Sequence, residues 1–327
     1  MKYRTLGRTG FEISELSLGT WQVGGKWGEA FNHQNADEIL NAAIDNGINF
    51  IDTADVYGDG ESEKAVGRLV KSRSERIFVA SKCGRKLNPH TNASYTPPAL
   101  RGFVEDSLKN MGLETIDLIQ LHCPPTEVYY RPEIFGEFDK LIEEGKILKL
   151  GVSVEKVEEA LKAIEYPNVD TVQIIFNIFR QRPAELFFQE ALKKNIGIIA
   201  RVPLASGLLS GHYSSATVFS KNDHRNFNRN GEAFDKGETF SGIDYKLGLE
   251  AVEAVRAIYP ETPMAAVALK WILGFEAVSC VIPGASNIQQ LNNNVKASDM
   301  APLTGEETNV LNQVYTRLIK EQVHHLW

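Results

Sequence analysis

Short apolar runs alternate along this chain with longer segments whose apolar residues recur at helical spacing. The runs fall at 16–21, 48–52, 77–82, 117–121, 149–153, 171–176, 196–201 and 278–282, most of them bounded by glycine, proline or charge. Such runs read as strands buried on both faces. Helices are expected at 36–46, 61–70, 97–111, 131–145, 154–164, 184–194, 245–258, 263–274, 287–297 and 304–323. Alternation of strand and helix implies a parallel sheet with covering helices, and eight units in 327 residues favour a closed (β/α)8 barrel over an open sheet. Two β-prone pieces within residues 2–14 flank Gly7-Arg8-Thr9-Gly10 and read as a hairpin capping one barrel end. No linker or composition break divides residues 1–327, so they read as one domain. The polar, Gly- and Asn-rich segment 212–244, after the seventh strand, is too long for an ordinary connection and is expected to be a lid or disordered.

Composition narrows the function classes. A formal net charge of −7 argues against a generic nucleic-acid surface. The three cysteines, Cys83, Cys123 and Cys280, are far apart and odd in number, with no disulfide framework or zinc spacing. No metal site is therefore expected, and a reducing compartment is. The start lacks the apolar core of a signal peptide and no run has the length of a membrane span, so a cytoplasmic location is expected.

Chemistry gathers at strand ends. Asp52 closes one apolar run and Tyr57 follows it in a loop; Lys82 closes the next run, and His122 the one after. A barrel collects such ends on one face. A tyrosine has a reference pKa of about 10, too high for ready donation near neutrality. A neighbouring ammonium, here Lys82, is expected to lower it, and Asp52 to hold that ammonium charged. His122 can donate a hydrogen bond to a carbonyl. Singly, each has a plainer reading: loop tyrosines pack, rim Asp and Lys form structural pairs, and a strand-end histidine is often a satisfied core residue. Lys82 alone would also permit Schiff-base chemistry.

Asp52-Thr53-Ala54-Asp55-Val56-Tyr57-Gly58, the strand-end Ser81-Lys82 and Leu121-His122 together resemble the catalytic tetrad of the aldo-keto reductases. The resemblance spans essentially the whole chain, including Leu6-Gly7-Arg8-Thr9-Gly10 and Leu18-Gly19-Thr20-Trp21, and is strongest to a bacterial branch with sugar and inositol dehydrogenase-like members. It implies reduction of an aldehyde, ketone or aldose with a nicotinamide cofactor held across the barrel mouth. Tyr57 would be the acid/base, Lys82 and Asp52 its tuners and His122 the carbonyl-positioning group. A nucleotide-holding sensory protein of the same fold with little turnover is the alternative.

The same resemblance implies cofactor contacts at Gly19, Thr20, Trp21 and Asp52, with Ser153 and Gln173 at the carboxamide. Val154 stands where relatives have an asparagine. Arg201 stands where many relatives place an aromatic against the nicotinamide, and its charge is expected to weaken binding of the oxidised cofactor relative to the reduced one. Pro203, Leu204, Ser206, Gly207, Leu209 and Gly211 belong to a segment similar to the family's pyrophosphate loop, whose small residues admit a phosphate. Relatives often have lysine where His212 sits; Lys221, Arg225 and Arg229 either supply cations over the cofactor or belong to a mobile, solvated loop. Gly284, Ser286, Gln290, Asn293 and Asn294 match the adenosine end, where 2′-phosphate recognition ordinarily uses Arg or Lys. NADP is the family expectation, with NAD or dual use open. The substrate pocket is expected over Tyr57 and His122, walled by Trp21, Trp27, Tyr129 and Tyr130.

Overall fold

The computed structural model describes residues 1–25 and 30–327. Strands β1 (Tyr3–Thr5) and β2 (Glu12–Ser14) form an antiparallel hairpin. Eight parallel strands follow: β3 (Leu18–Gly19), β4 (Phe50–Asp52), β5 (Phe78–Cys83), β6 (Ile116–His122), β7 (Ile147–Ser153), β8 (Val169–Ile175), β9 (Gly197–Arg201) and β10 (Val278–Val281). Each pairs with the next in sequence order, and β3 meets β10 through parallel bridges joining Leu16 to Val281 and Gly19 to Gly284. A Cβ on Gly19 would lie 2.9 Å from the Ile282 carbonyl oxygen, so glycine permits the closure of first strand on last.

The covering helices are α1 (His33–Asp45), α2 (Glu61–Ser72), α3 (Pro97–Met111), α4 (Pro132–Glu143), α5 (Val157–Ala163) and α6 (Phe187–Lys193). After β9 come α7 (His224–Phe227), α8 (Tyr245–Ile258), α9 (Met264–Leu273), α10 (Ile288–Asp299), α11 (Gly305–Val314) and α12 (Lys320–Val323). Their ends follow the sequence closely. Thr96 accepts from the Ala99 N–H with Pro97 in the first turn of α3, and Gly112 closes that helix in a left-handed conformation. α1 begins three residues before the expected start because Asn32 caps it through the Asn35 N–H. The helix expected over 304–323 is instead α11, a π-helical stretch Tyr315–Ile319 and α12.

The pleat divides the core in two. Outward residues such as Ile51, Val79, Ile119, Leu121 and Val152 join the helices in the large outer core. Phe50, Ala80, Leu118, Ile199 and Cys280 point inward and fill the barrel, where Leu6 and Ile13 of the hairpin region seal the base. One step up the same pleat, the inward positions carry Asp52, Lys82, Gln120 and Arg201, with His122 a further step along β6. The parallel register that sets them side by side pairs Lys82 with Gln120 and Ser153 with Gln173.

Segment 212–244 has regular structure of its own. It holds α7 and two 3-10 turns, Lys236–Glu238 and Phe240–Gly242. Arg180 lies over the Trp327 ring at 4.2 Å, and a Cβ on Gly242 would run into that ring at 2.3 Å, so the chain end packs against the last turn of the segment. Among the described residues no helix is long and apolar enough to cross a membrane.

Candidate active site

The strand ends converge on one buried ion pair. Lys82 Nζ donates to Asp52 Oδ1 at 2.5 Å and to the Thr53 carbonyl at 2.8 Å, and lies 3.3 Å from Tyr57 Oη. All three ammonium protons thus face an oxygen. Asp52 Oδ2 accepts from Gln173 Nε2 at 2.8 Å and Gln120 Nε2 at 3.1 Å. Burying both charges is costly unless every lone pair and proton is engaged, which is the arrangement here. Burial opposes the lysine charge, yet Asp52 and then Tyr57 outweigh it and hold Lys82 above its ordinary pKa.

Tyr57 differs from the expectation in its net acidity. Burial pushes its phenol above 10; Lys82 pulls it down, but not far enough to cancel burial and the Asp52 charge. His122 sits beside it, ring centroids 6.1 Å apart and edge to face. Its Nδ1 is buried with no hydrogen-bond partner. Burial, then the charges of Arg85, Lys82 and Arg201, keep His122 neutral well below its usual range. Trp21 stacks over Tyr57 at 6.4 Å and meets His224 of α7 at 5.0 Å. Asp55 is buried with no side-chain partner for its carboxylate among the described residues, and burial followed by Glu63 raises it to about 7.

The expected cofactor residues divide by what already engages them. Thr20 Oγ1 donates to the Asp52 carbonyl, and Gly19 pairs with Asp52 across the strands. Ser153 is buried, its Oγ 3.5 Å from Cys123 Sγ. Residues 202–211 turn through left-handed positions at Val202, Ala205, Ser206, Gly207 and Gly211. Successive residues of that kind make an anion-binding concavity, which fits a pyrophosphate. Pro203 and Leu204 open this turn, which also bonds to itself: the N–H groups of Gly207 and Leu209 go to the Leu204 carbonyl and that of Gly211 to Leu208, and the Leu209 side chain lies in the core. At the rim, Ser286 gives both N–H and Oγ–H to Gln290 Oε1, and Asn294 Nδ2 reaches the Gly284 carbonyl at 3.3 Å. Asn293 Oδ1 accepts from Lys296 Nζ at 3.2 Å, one turn further along α10, whose end meets the hairpin through Ser298 and Glu15.

Arg201 is not the bare charge the sequence suggests. Its Nη2 lies 2.9 Å from Glu155 and 3.5 Å from Cys123 Sγ, and its Nη1 3.7 Å from Glu238. Burial works against the guanidinium, and Glu155, Cys123 and Glu238 outweigh it and hold the group well above its ordinary value. Burial raises Glu155 to about 8, whereas Arg85 and Arg201 outweigh burial at Glu238 and hold it to about 2, so near neutrality the negative charge facing Arg201 comes mainly from Glu238. The same guanidinium fills the one grouping of metal-ligand type among the described residues, Cys123 with Glu155 and Glu238.

Among the expected pocket walls, Trp21 borders the site. Tyr129 is fully buried in the outer core, Tyr130 is 64% exposed, and Trp27 lies outside the described residues. Arg225 is engaged by Asp223, and Arg229 lies over the Tyr245 ring at 5.1 Å. Four participants escaped the sequence reading: Gln120, Arg85, Glu155 and Glu238. Only Gln120 carried a signal, as an amide two residues before His122 in an otherwise apolar strand.

This barrel with a buried Asp–Lys–Tyr relay and a neutral histidine at its mouth defines a class of carbonyl oxidoreductase. The Aldo/keto reductase family model matches residues 15–316, and the chain belongs to that family. It is 29% identical over 96% of its length to the L-glyceraldehyde 3-phosphate reductase of Escherichia coli O157:H7, covering 92% of that protein. It is 27% identical to the aldo-keto reductase yakc [NADP(+)] of Schizosaccharomyces pombe, over 88% of this chain and 86% of the relative. The solved glycerol dehydrogenase of Gluconobacter oxydans superposes with a TM-score of 0.79 at 30% identity, covering 97% of this chain and 96% of that one.

Proposed function

We propose that this aldo-keto reductase interconverts a small hydroxylated aldehyde, ketone or aldose with its alcohol, using NADP, with NAD as a second cofactor. The observation that carries the reading is the Asp52–Lys82–Tyr57 relay with His122 beside it at the barrel mouth. The cofactor, when bound, supplies the hydride. Everything else falls to the chain. A buried Tyr57 stays protonated near neutrality and has a proton to give to the carbonyl oxygen. Lys82, 3.3 Å away, stabilises the phenolate left behind. Neutral His122 donates a hydrogen bond to the same oxygen and orients it. Ser153 and Gln173 would hold the carboxamide, the 203–211 turn the pyrophosphate, and Gly284, Ser286, Gln290, Asn293 and Asn294 the adenosine end.

The activities of the relatives, one on a triose phosphate and one on glycerol, support a small polar substrate. A place in the bacterial sugar and inositol dehydrogenase-like branch, and in the cytoplasm, accompanies the reading. Oxidation of NADPH and NADH with an aldehyde and aldose panel tests it, comparing wild type with Tyr57→Phe. Turnover that collapses in the variant while cofactor still quenches tryptophan fluorescence is the expected result. Tight nucleotide binding with no turnover on any carbonyl would favour the sensory alternative instead.

A further inference from the structure

One guanidinium at the mouth joins the reacting position to an anion. Arg85 Nη1 lies 3.5 Å from His122 Nε2, and its Nη2 donates to Glu238 Oε1 at 2.8 Å. The fork is rigid, so these two nitrogens address neighbouring groups. Arg85 is set against the Phe234 ring, its Cζ 5.5 Å from the centroid, and lines a cavity of about 360 Å³ with His90, Cys123 and Asp235. Glu238 comes from segment 212–244 and is held there by its backbone, whose carbonyl accepts from Ser206 Oγ at 2.9 Å. The segment therefore delivers a carboxylate of the chain's own into a two-arginine clasp beside the carbonyl-orienting histidine.

Glu238 lies beside this cavity, and the carboxylates that line it, Glu155, Glu159 and Asp235, face groups other than Arg85. Glu155 faces Arg201 at 2.9 Å. Glu159 accepts from Thr126 and from the N–H groups of Glu155 and Lys156 at the start of α5. Asp235 accepts from the Gly237 N–H at 2.7 Å. Glu238 is the one whose withdrawal uncovers Arg85, and a buried guanidinium without its anion is strongly unfavourable.

We propose that Arg85 is the specificity-determining residue of this enzyme, recognising a carboxylate or phosphate carried within a few bonds of the substrate carbonyl, with Glu238 occupying that place until substrate displaces it. This rests on the reductase reading above. The exchange trades one anion for another on the same fork, so it costs little charge separation. It also keeps the empty site from presenting a bare cation.

The test uses two matched pairs: phenylglyoxylate with its methyl ester, and glyceraldehyde 3-phosphate with glyceraldehyde. Wild type is expected to favour the anionic member of at least one pair about 10- to 100-fold in kcat/KM, the value of one charge-assisted contact. Preference in the first pair identifies a carboxylate, in the second a phosphate. Arg85→Gln should erase the preference. Glu238→Gln, which weakens the internal competitor, should increase it, and so carries the test should the arginine variant not fold. Calorimetric titration of oxamate, a non-reducible 2-oxo acid mimic, with and without NADP, should show tighter binding to Glu238→Gln and none to Arg85→Gln. Equal turnover of both members of each pair, or a preference unchanged in either variant, overturns this inference and leaves the reductase reading standing. Turnover of neither member of either pair, nor of any other carbonyl, overturns both.

Discussion

The barrel interior has two halves built on the same strands, and they solve opposite problems. The lower half, Phe50, Ala80, Leu118, Ile199 and Cys280 over Leu6 and Ile13, excludes water with apolar volume alone. The upper half, two residues further along each strand, buries Asp52, Lys82, Gln120 and Gln173 with a donor matched to each carboxylate oxygen. Below, a substitution changes packing. Above, it uncovers a charge. A fold that only needed stability would continue the lower pattern into the upper one, so the difference marks where the chain gives up stability for chemistry.

The sharpest way to separate the halves is to remove the proton donor while leaving its surroundings. Tyr57→Phe should lower kcat by about 10²- to 10⁴-fold, the usual worth of a general acid. Cofactor affinity and unfolding midpoint should stay near wild type, as read by fluorescence titration and urea denaturation. Lys82→Met attacks the pair beneath and should do more structural damage. It leaves Asp52 charged and buried against two amides, at about 3–5 kcal/mol of stability, and should abolish turnover as well. Double substitution of Lys82→Met with Asp52→Leu should recover much of that stability and none of the activity. Stability that stays low in the double variant would break the charge-based account of the upper half.

How much of this was legible in the chain follows the same division. Continuous apolar runs and strand-end placement expose Asp52, Lys82 and His122, because a polar residue closing an apolar run stands out. The barrel and its capping hairpin follow from the order of the runs. What stayed hidden depends on long-range contact. Glu238 is 153 positions from Arg85, in a polar segment where one glutamate looks like any other. Tyr129 and Tyr130 are neighbours in sequence, yet one packs in the core and the other meets solvent. The net acidity of Tyr57 was also beyond reach, since burial competes with the lysine charge and only a three-dimensional environment sets their balance.

The lower half should respond to volume and to nothing else. Leu118→Ala removes buried methyl groups between β5 and β7 and should cost about 2–5 kcal/mol in urea denaturation. At a temperature where the variant stays folded, kcat should remain within a few-fold of wild type. A pH profile of kcat/KM that moves would show that the two halves are coupled more tightly than their separate chemistry implies.

The smallest effect concerns pH, and it too should belong to the upper region. His224 of the docked segment is buried against Trp21, and burial depresses it to about 4, with Asp223 and Glu238 pulling it up and Arg225 pushing it down. Unfolded, a histidine titrates near 6.5. Between those values the unfolded chain takes up a proton that the folded one refuses, so stability is full above about 6.5 and falls as pH drops toward 4. From pH 7 to pH 5 the loss from this one residue should be about 1–2 kcal/mol, with His122 adding its own in the same direction. Urea denaturation across that range should give a shallower decline for His224→Gln than for wild type. The decline for Leu118→Ala should run parallel to wild type, because that substitution leaves every titrating group in place. A His224→Gln slope equal to wild type would place the acid sensitivity in the barrel mouth and not in the segment that covers it.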